Sequence, residues 1–445
     1  MFSHRSRRFW CLLVLAGSFA LRAGAAFGLQ SYLTRTGPRL CLIAGDAEGY
    51  WELAQKLAAG DEFSIYDPPR RVLRMPGFPL FLAAAMKLTD GSQLAIRLLL
   101  AGVGTGACGL VYWLGRELFD HEIGLLAAAI AAVSPTLIIF SVMFLSETLF
   151  AAALVACLIS FVKLTKPLPS RPWGEGSGVR GAPSDVTTNH PSRRSQGERE
   201  QKHVHWFAIT AGALAGIATY VRPTWLLVGP AFALWLGLRW GRRGWWSGAL
   251  VIVGLAVCLS PWVIRNQLAT GHPVVTTLWV GPSLYDGLHP RASGDSDMTF
   301  IERDGLYDRL SEFDADQHYR REAWKFVRDQ PGKAIHLAFV KLGRYWSPLP
   351  NAAQFGHPAA RFAVLASFVL IPVLAAVGWW HMRRDVSRWL LPLAPIVYFA
   401  AVHAVFVGSL RYRLPAEYPL AVLAAVGVNW LCKRGSPFPV GEREH

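Results

Sequence analysis

Residues 45–80 read GDAEGYWELAQKLAAGDEFSIYDPPRRVLRMPGFPL, a polar interruption between apolar blocks. From 46 to 59 the apolar residues Tyr50, Leu53, Ala54 and Leu57 share one helical face, with Glu48, Glu52 and Lys56 on others. That pattern predicts a helix lying along a membrane surface, with Asp46 near its N-cap. Residues 61–74 are charge-rich and irregular. Gly77 to Leu88 is apolar but too short to span, and reads as a half-inserted helix.

The blocks around this stretch set the fold class. The 445 residues are 52% hydrophobic and only 17% charged, and the apolar residues run together rather than alternate. Runs of roughly 17–25 such residues match a hydrocarbon core of about 30 Å. The expected architecture is an all-α, polytopic membrane protein. Its spans fall near 9–29, 95–114, 123–143, 149–164, 206–220, 225–238, 246–263, 362–380, 389–407 and 414–432, ten spans plus the half-helix.

Charge assigns the sides. Arg5, Arg7 and Arg8 precede the first block, and the turns RWGRRG and HMRRDVSR are basic, so these lie inside by the positive-inside rule. The first block could be a cleaved signal peptide, but Arg22 and its length favour a retained helix. Residues 165–205, rich in Pro, Gly, Ser and Arg, read as a disordered cytoplasmic linker. Between Asn266 and Ala360 acidic residues outnumber basic ones, in a chain of formal charge +15. That reversal marks an external domain. The expected organisation is a core over 1–265 with an external loop at 30–93, an external domain over 266–360, and C-terminal helices over 361–445. Both termini are cytoplasmic, in an inner or plasma membrane. The basic excess sits in short membrane-edge loops, which argues against a nucleic-acid partner.

Cysteine and histidine carry little chemistry. Cys11, Cys108, Cys157, Cys258 and Cys432 lie in apolar segments and Cys41 in a loop, without a CxxC motif or disulfide framework. His121, His203, His205, His272, His289 and His357 lack ligand spacing, so no metal is expected. Gly102, Gly104 and Gly106 sit within a span and suit helix packing.

The unusual polar groups collect on the external side: Asp46, Glu48, Arg74, Glu147, Arg222, Arg265, Asn266, Arg411, Tyr412 and Arg413. Each lies at or just past the end of an apolar block, where ionisable residues are costly and face a cavity. Converging guanidiniums suit a phosphate or pyrophosphate, and a carboxylate beside them could take a proton from an acceptor hydroxyl. Plainer roles stand beside these. An Arg at a helix end can anchor to lipid headgroups, Asp46 can be only a helix cap, and Glu147 can be a buried partner of an arginine.

The pattern D-x-x-x-Y-x-x-x-A-x-x-L at 46–57, followed by R-x-P-G-F-P-L-F-L-A at 74–83, resembles the GT-C-fold glycosyltransferases. The resemblance is to bacterial members of the dolichyl-phosphate-mannose–protein mannosyltransferase group, which includes the aminoarabinose transferases acting on lipid A. Further matches are S-P-x(10)-S-E-T-L-F at 134–150, GIATYVRP at 216–223, PWVIRN at 261–266 and RYRLP at 411–415. The resemblance implies a GT-C fold and transfer of a sugar from a polyprenyl-phosphate donor to a protein, lipid or glycan acceptor at the external face. It implies Asp46 as catalytic base, with Glu48 and Glu147 as acidic helpers. Relatives often carry Asp-Glu where this chain has Asp46-Ala47. Arg74, Arg265, Arg411 and Arg413, with Tyr412, match positions that hold the carrier phosphate, while Arg222 and Asn266 fit recurring positions. Inverting displacement needs no cofactor, because protein cations neutralise the leaving phosphate. A flippase for a lipid-linked sugar would use similar arginines, and a structural scaffold would tolerate their loss.

Overall fold

A computed structural model describes residues 4–37, 40–42, 45–165, 193–350 and 356–433, without side chains for 4–6 and 193–204. The linker expected over 165–205 falls outside the described residues from 166 to 192. From Arg193 onward that stretch is helical.

The chain builds α1 (His4–Arg35), α2 (Asp46–Ala59), α3 (Gly77–Leu88), α4 (Gln93–Leu118), α5 (His121–Val133), α6 (Pro135–Phe140), α7 (Glu147–Thr165) and α8 (Arg193–Val221). After these come α9 (Val228–Thr270), α10 (Val280–Gly287), α11 (Phe300–Asp304), α12 (Glu312–Asp329) and α13 (Pro331–Tyr345). The last are α14 (Pro358–Phe368), α15 (Leu374–Met382), α16 (Val386–Val405) and α17 (Leu414–Cys432). Among the described residues the only strand-like pairing is an isolated bridge between Ile65 and Arg70. Among the described residues, seven helical stretches are long and apolar enough to cross a membrane, and three apolar helices are shorter. Each apolar block falls on a helix.

Local chemistry sets the breaks. Ser92 and Asp120 cap α4 and α5 by accepting from Ala95 N and Ile123 N. Pro135 holds Ser134 extended and ends α5, so the 123–143 block is two helices rather than one. Gly241, at φ +57°, folds α9 back on itself inside RWGRRG, at the expected turn.

Helix α17 is the axis of the molecule. Every residue from Leu414 to Gly427 is buried, and its neighbours are α4, α5, α7, α15 and α16. Close approach there needs glycine. A Cβ on Gly378 would strike Leu423 O, and one on Gly427 would strike Leu374 O. Of Gly102, Gly104 and Gly106 in α4, only Gly104 is crowded. A Cβ there would lie 2.8 Å from Arg22 Nε, so the glycine leaves room for that buried side chain. Arg22 Nη1 and Nη2 donate to the carbonyls of Ala132 and Ala131 (both 3.3 Å), satisfying the broken end of α5.

Residues 60–76, with α10 to α13, form a cap over one end of the bundle. Leu278 N donates to Val72 O (2.9 Å), and the Glu312 carboxylate accepts from Arg71 N and Val72 N (2.8 and 3.0 Å). Apolar contacts among Val72, Met75, Trp262 and Leu278 complete the seam.

Candidate functional site

Five helix ends meet beneath the cap. Asp46 is the first residue of α2 and Glu147 the first of α7, while Arg222 follows α8. Arg411 and Tyr412 sit in the single 3₁₀ turn Leu410–Arg413 that opens α17, and Arg74 stands just before α3. Chain breaks at membrane edges put these side chains in one place because helix ends expose free backbone groups and room for long side chains.

Asp46 is not the helix cap. Gly45 holds that position at φ +83°, and its N–H donates to Glu48 Oε2 (3.2 Å), so Glu48 serves the helix end rather than the cluster. The Asp46 carboxylate turns inward instead. Its Oδ1 pairs with Arg74 Nη2 (2.6 Å) and its Oδ2 with Arg411 Nη1 (2.9 Å). Arg411 Nε also pairs with Glu147 Oε1, the same oxygen that Arg222 Nη2 reaches at 2.8 Å. Arg411 therefore bridges the two carboxylates. Three guanidiniums face two carboxylates, which leaves an excess of +1.

The cluster is graded in exposure. The Glu147 side chain is 2% exposed, with Oε2 buried and without a hydrogen-bond partner among the described residues, whereas Asp46 is 29% exposed. Burial alone would raise the Asp46 carboxyl, but Arg74 and Arg411 outweigh it and hold it well below the usual carboxylate range. Tyr412 stacks on His403 (centroids 4.2 Å apart), and Arg222 lies over its ring at 5.6 Å. Tyr50 supports Arg74 in the same way, at 5.3 Å.

Three other candidates lie elsewhere. Arg413 is buried in an ion pair with Glu417 (2.6 Å) and donates to Tyr345 O (2.9 Å), so it braces α17 against α13. Arg265 donates to the carbonyls of Arg71 (2.6 Å) and Phe63 (3.1 Å), clamping the cap to α9. Asn266 donates to Val274 O (2.9 Å) and is buried in the last turns of α9. Ser146, which the sequence reading did not single out, accepts from Arg222 Nε (3.2 Å) and orients it. Its place directly before Glu147 was the available signal.

Comparisons with known proteins agree on the fold. A family model described as dolichyl-phosphate-mannose-protein mannosyltransferase matches residues 69–175. An oligosaccharyltransferase from Archaeoglobus fulgidus, solved with an inhibitory peptide and a dolichol-phosphate, superposes with TM-score 0.51 at 14% identity, over 96% of this chain and 51% of that one. The same enzyme solved with Zn and sulfate gives TM-score 0.52 at 14% identity, over 95% and 49%. ArnT from Cupriavidus metallidurans bound to undecaprenyl phosphate gives TM-score 0.42 at 14% identity, over 94% and 77%. The chain spans about half the length of the archaeal enzyme. No curated protein matches it by sequence. The chain is a multi-pass membrane protein with the GT-C fold. Among the described residues no three His, Cys, Asp or Glu gather as ligands, and both Asp46 oxygens are held by guanidiniums.

Proposed function

We propose that this chain is a membrane glycosyltransferase that takes a sugar from a polyprenyl-phosphate donor and passes it to an acceptor hydroxyl or amine at the external face. The carrying observation is the cationic excess of Arg74, Arg222 and Arg411 around Asp46 and Glu147, set at helix ends in a GT-C fold. Dolichol-phosphate bound to the archaeal relative supports a donor of that class. The external assignment rests on the basic inner turns.

The reaction is a single displacement with inversion. The acceptor oxygen or nitrogen bonds to the anomeric carbon as the bond from that carbon to the phosphate oxygen breaks, and the phosphate leaves with the electron pair. Asp46 takes the acceptor proton. Arg74 and Arg411 neutralise charge growing on the phosphate, in place of a metal ion. With both oxygens paired, Asp46 is a weak base in the free protein. A donor phosphate competes for the same guanidiniums, and each one it draws away returns basicity to the carboxylate. Glu147 stays with Arg222 and keeps Arg411 in position.

The test is purified protein given a mixture of labelled polyprenyl-phosphate sugars. Release of one sugar at a rate that saturates with donor supports a transferase. Donor binding with no release under any acceptor condition would favour a carrier of the lipid-linked sugar.

A further inference from the structure

A cavity of about 340 Å³ lies between the 66–71 turn and the 307–313 segment of the cap, at the lower end of small-molecule site sizes. Pro68, Pro69, Arg70, Tyr307, Glu312 and Phe313 are among its walls, and no member of the Asp46–Glu147 cluster lines it. The turn is shaped for presentation. Ile65 and Arg70 exchange backbone hydrogen bonds (2.9 and 3.2 Å), and Tyr66 between them sits at φ +69°, a conformation that side chains rarely adopt.

Two donors on residues that line the cavity have no partner among the described residues. Arg70 Nε is buried without an acceptor among the described residues. The neighbouring Arg71 and Arg74 pair with Glu62 and Asp46, while Arg70 forms no such pair there. Its guanidinium is instead held between aromatic faces, 3.8 Å from the Tyr307 ring and 4.6 Å from Tyr66. Such bracing fixes a cation in direction without neutralising it. Tyr307 is 6% exposed, and its hydroxyl is likewise buried and unpartnered. Leaving such groups unmade is costly, so a partner is called for. The carboxylate in the wall does not supply one, because Glu312 accepts from Arg71 N and Val72 N.

We propose that this cavity is an oxyanion site, separate from the Asp46 cluster, in which Arg70 and Tyr307 hold a phosphate or carboxylate group of a ligand. Both open groups are donors, so the ligand must bring acceptor oxygens. The net positive charge of Arg70 selects an anion, and the prolines and Phe313 accommodate apolar or ring atoms attached to it. Burial pushes the Glu312 carboxyl above its ordinary range, against the pull of the Arg71 and Val72 amides and of Arg70 and Arg265.

Equilibrium dialysis with labelled inorganic phosphate tests this on the full chain in zwitterionic nanodiscs. Arg70→Ala should abolish one binding component. Tyr307→Phe, which keeps the ring beneath Arg70, should weaken that component about tenfold, the worth of one charge-assisted hydrogen bond. Arg411→Ala should leave it in place. Adding phosphatidic acid to the discs separates the sources: displacement of phosphate assigns the site to lipid headgroups, and no displacement assigns it to a soluble oxyanion. No binding by the wild type, or binding unchanged in both Arg70→Ala and Tyr307→Phe, would overturn the proposal. The readout does not depend on sugar transfer, so the two can fail separately.

Discussion

Arg411 holds two carboxylates at once, and its loss should show in both stability and donor binding. Arg411→Ala leaves Asp46 with Arg74 and Glu147 with Arg222, one cation each. Because Glu147 is almost fully buried, we expect a loss of about 3 kcal/mol, read as a lower thermal midpoint in detergent, together with weakened polyprenyl-phosphate binding. An unchanged midpoint would mean that Arg411 is not holding Glu147. Asp46 gives a pH signature. Its folded-state carboxyl lies well below the unfolded value of about 3.9. The stability it adds is therefore fully present above that value and is lost as pH falls toward the folded one. The midpoint difference between wild type and Asp46→Asn should be equal at pH 7 and pH 5 and shrink below about pH 4. A difference that changed between pH 7 and 5 would contradict the paired geometry. At this scale the sequence was half legible. Residue types and helix-end positions pointed to the cluster, but Arg411 and Arg413 lie two residues apart in one turn and reach opposite partners. Glu417, four residues after Arg413, was the local sign of its pairing.

Helix boundaries followed from apolar blocks, caps and breakers, because each depends on neighbours within a turn or two. Asp120 caps α5 and Gly241 breaks α9 at the expected turn, whereas Pro135 splits a block read as one span. Packing between helices was less legible. Nothing near Gly378 or Gly427 in sequence shows that α15 and α17 cross there, since the atoms they spare are tens of residues away. Gly378→Ala should force these helices apart at the Leu423 carbonyl and cost about 1–3 kcal/mol, measured as a lower thermal midpoint. Gly102→Ala, which meets open space, serves as the control. Equal effects of the two would remove the packing argument. Arg22 shows the same limit: the sequence marked it as unusual within a span, but not that it completes the end of α5.

Across the whole molecule, the cap and the bundle meet at the arginine–carboxylate cluster. Loop one supplies Asp46 and Arg74, the turn before α17 supplies Arg411, and the cap is fastened over them by Arg265 and Glu312. The sequence placed the first loop and a second polar region on one side of the bundle. It could not place their contacts, because Arg71 and Glu312 are 241 residues apart. We propose that Asp46 carries the proton in a sugar transfer stabilised by the surrounding arginines. The most direct measurement is sugar release from labelled polyprenyl-phosphate sugar by purified wild type and Asp46→Asn, with donor binding recorded for both. We expect wild-type turnover, a fall of about a hundredfold to ten-thousandfold in the variant, and donor binding retained. Equal turnover by the two proteins would contradict it.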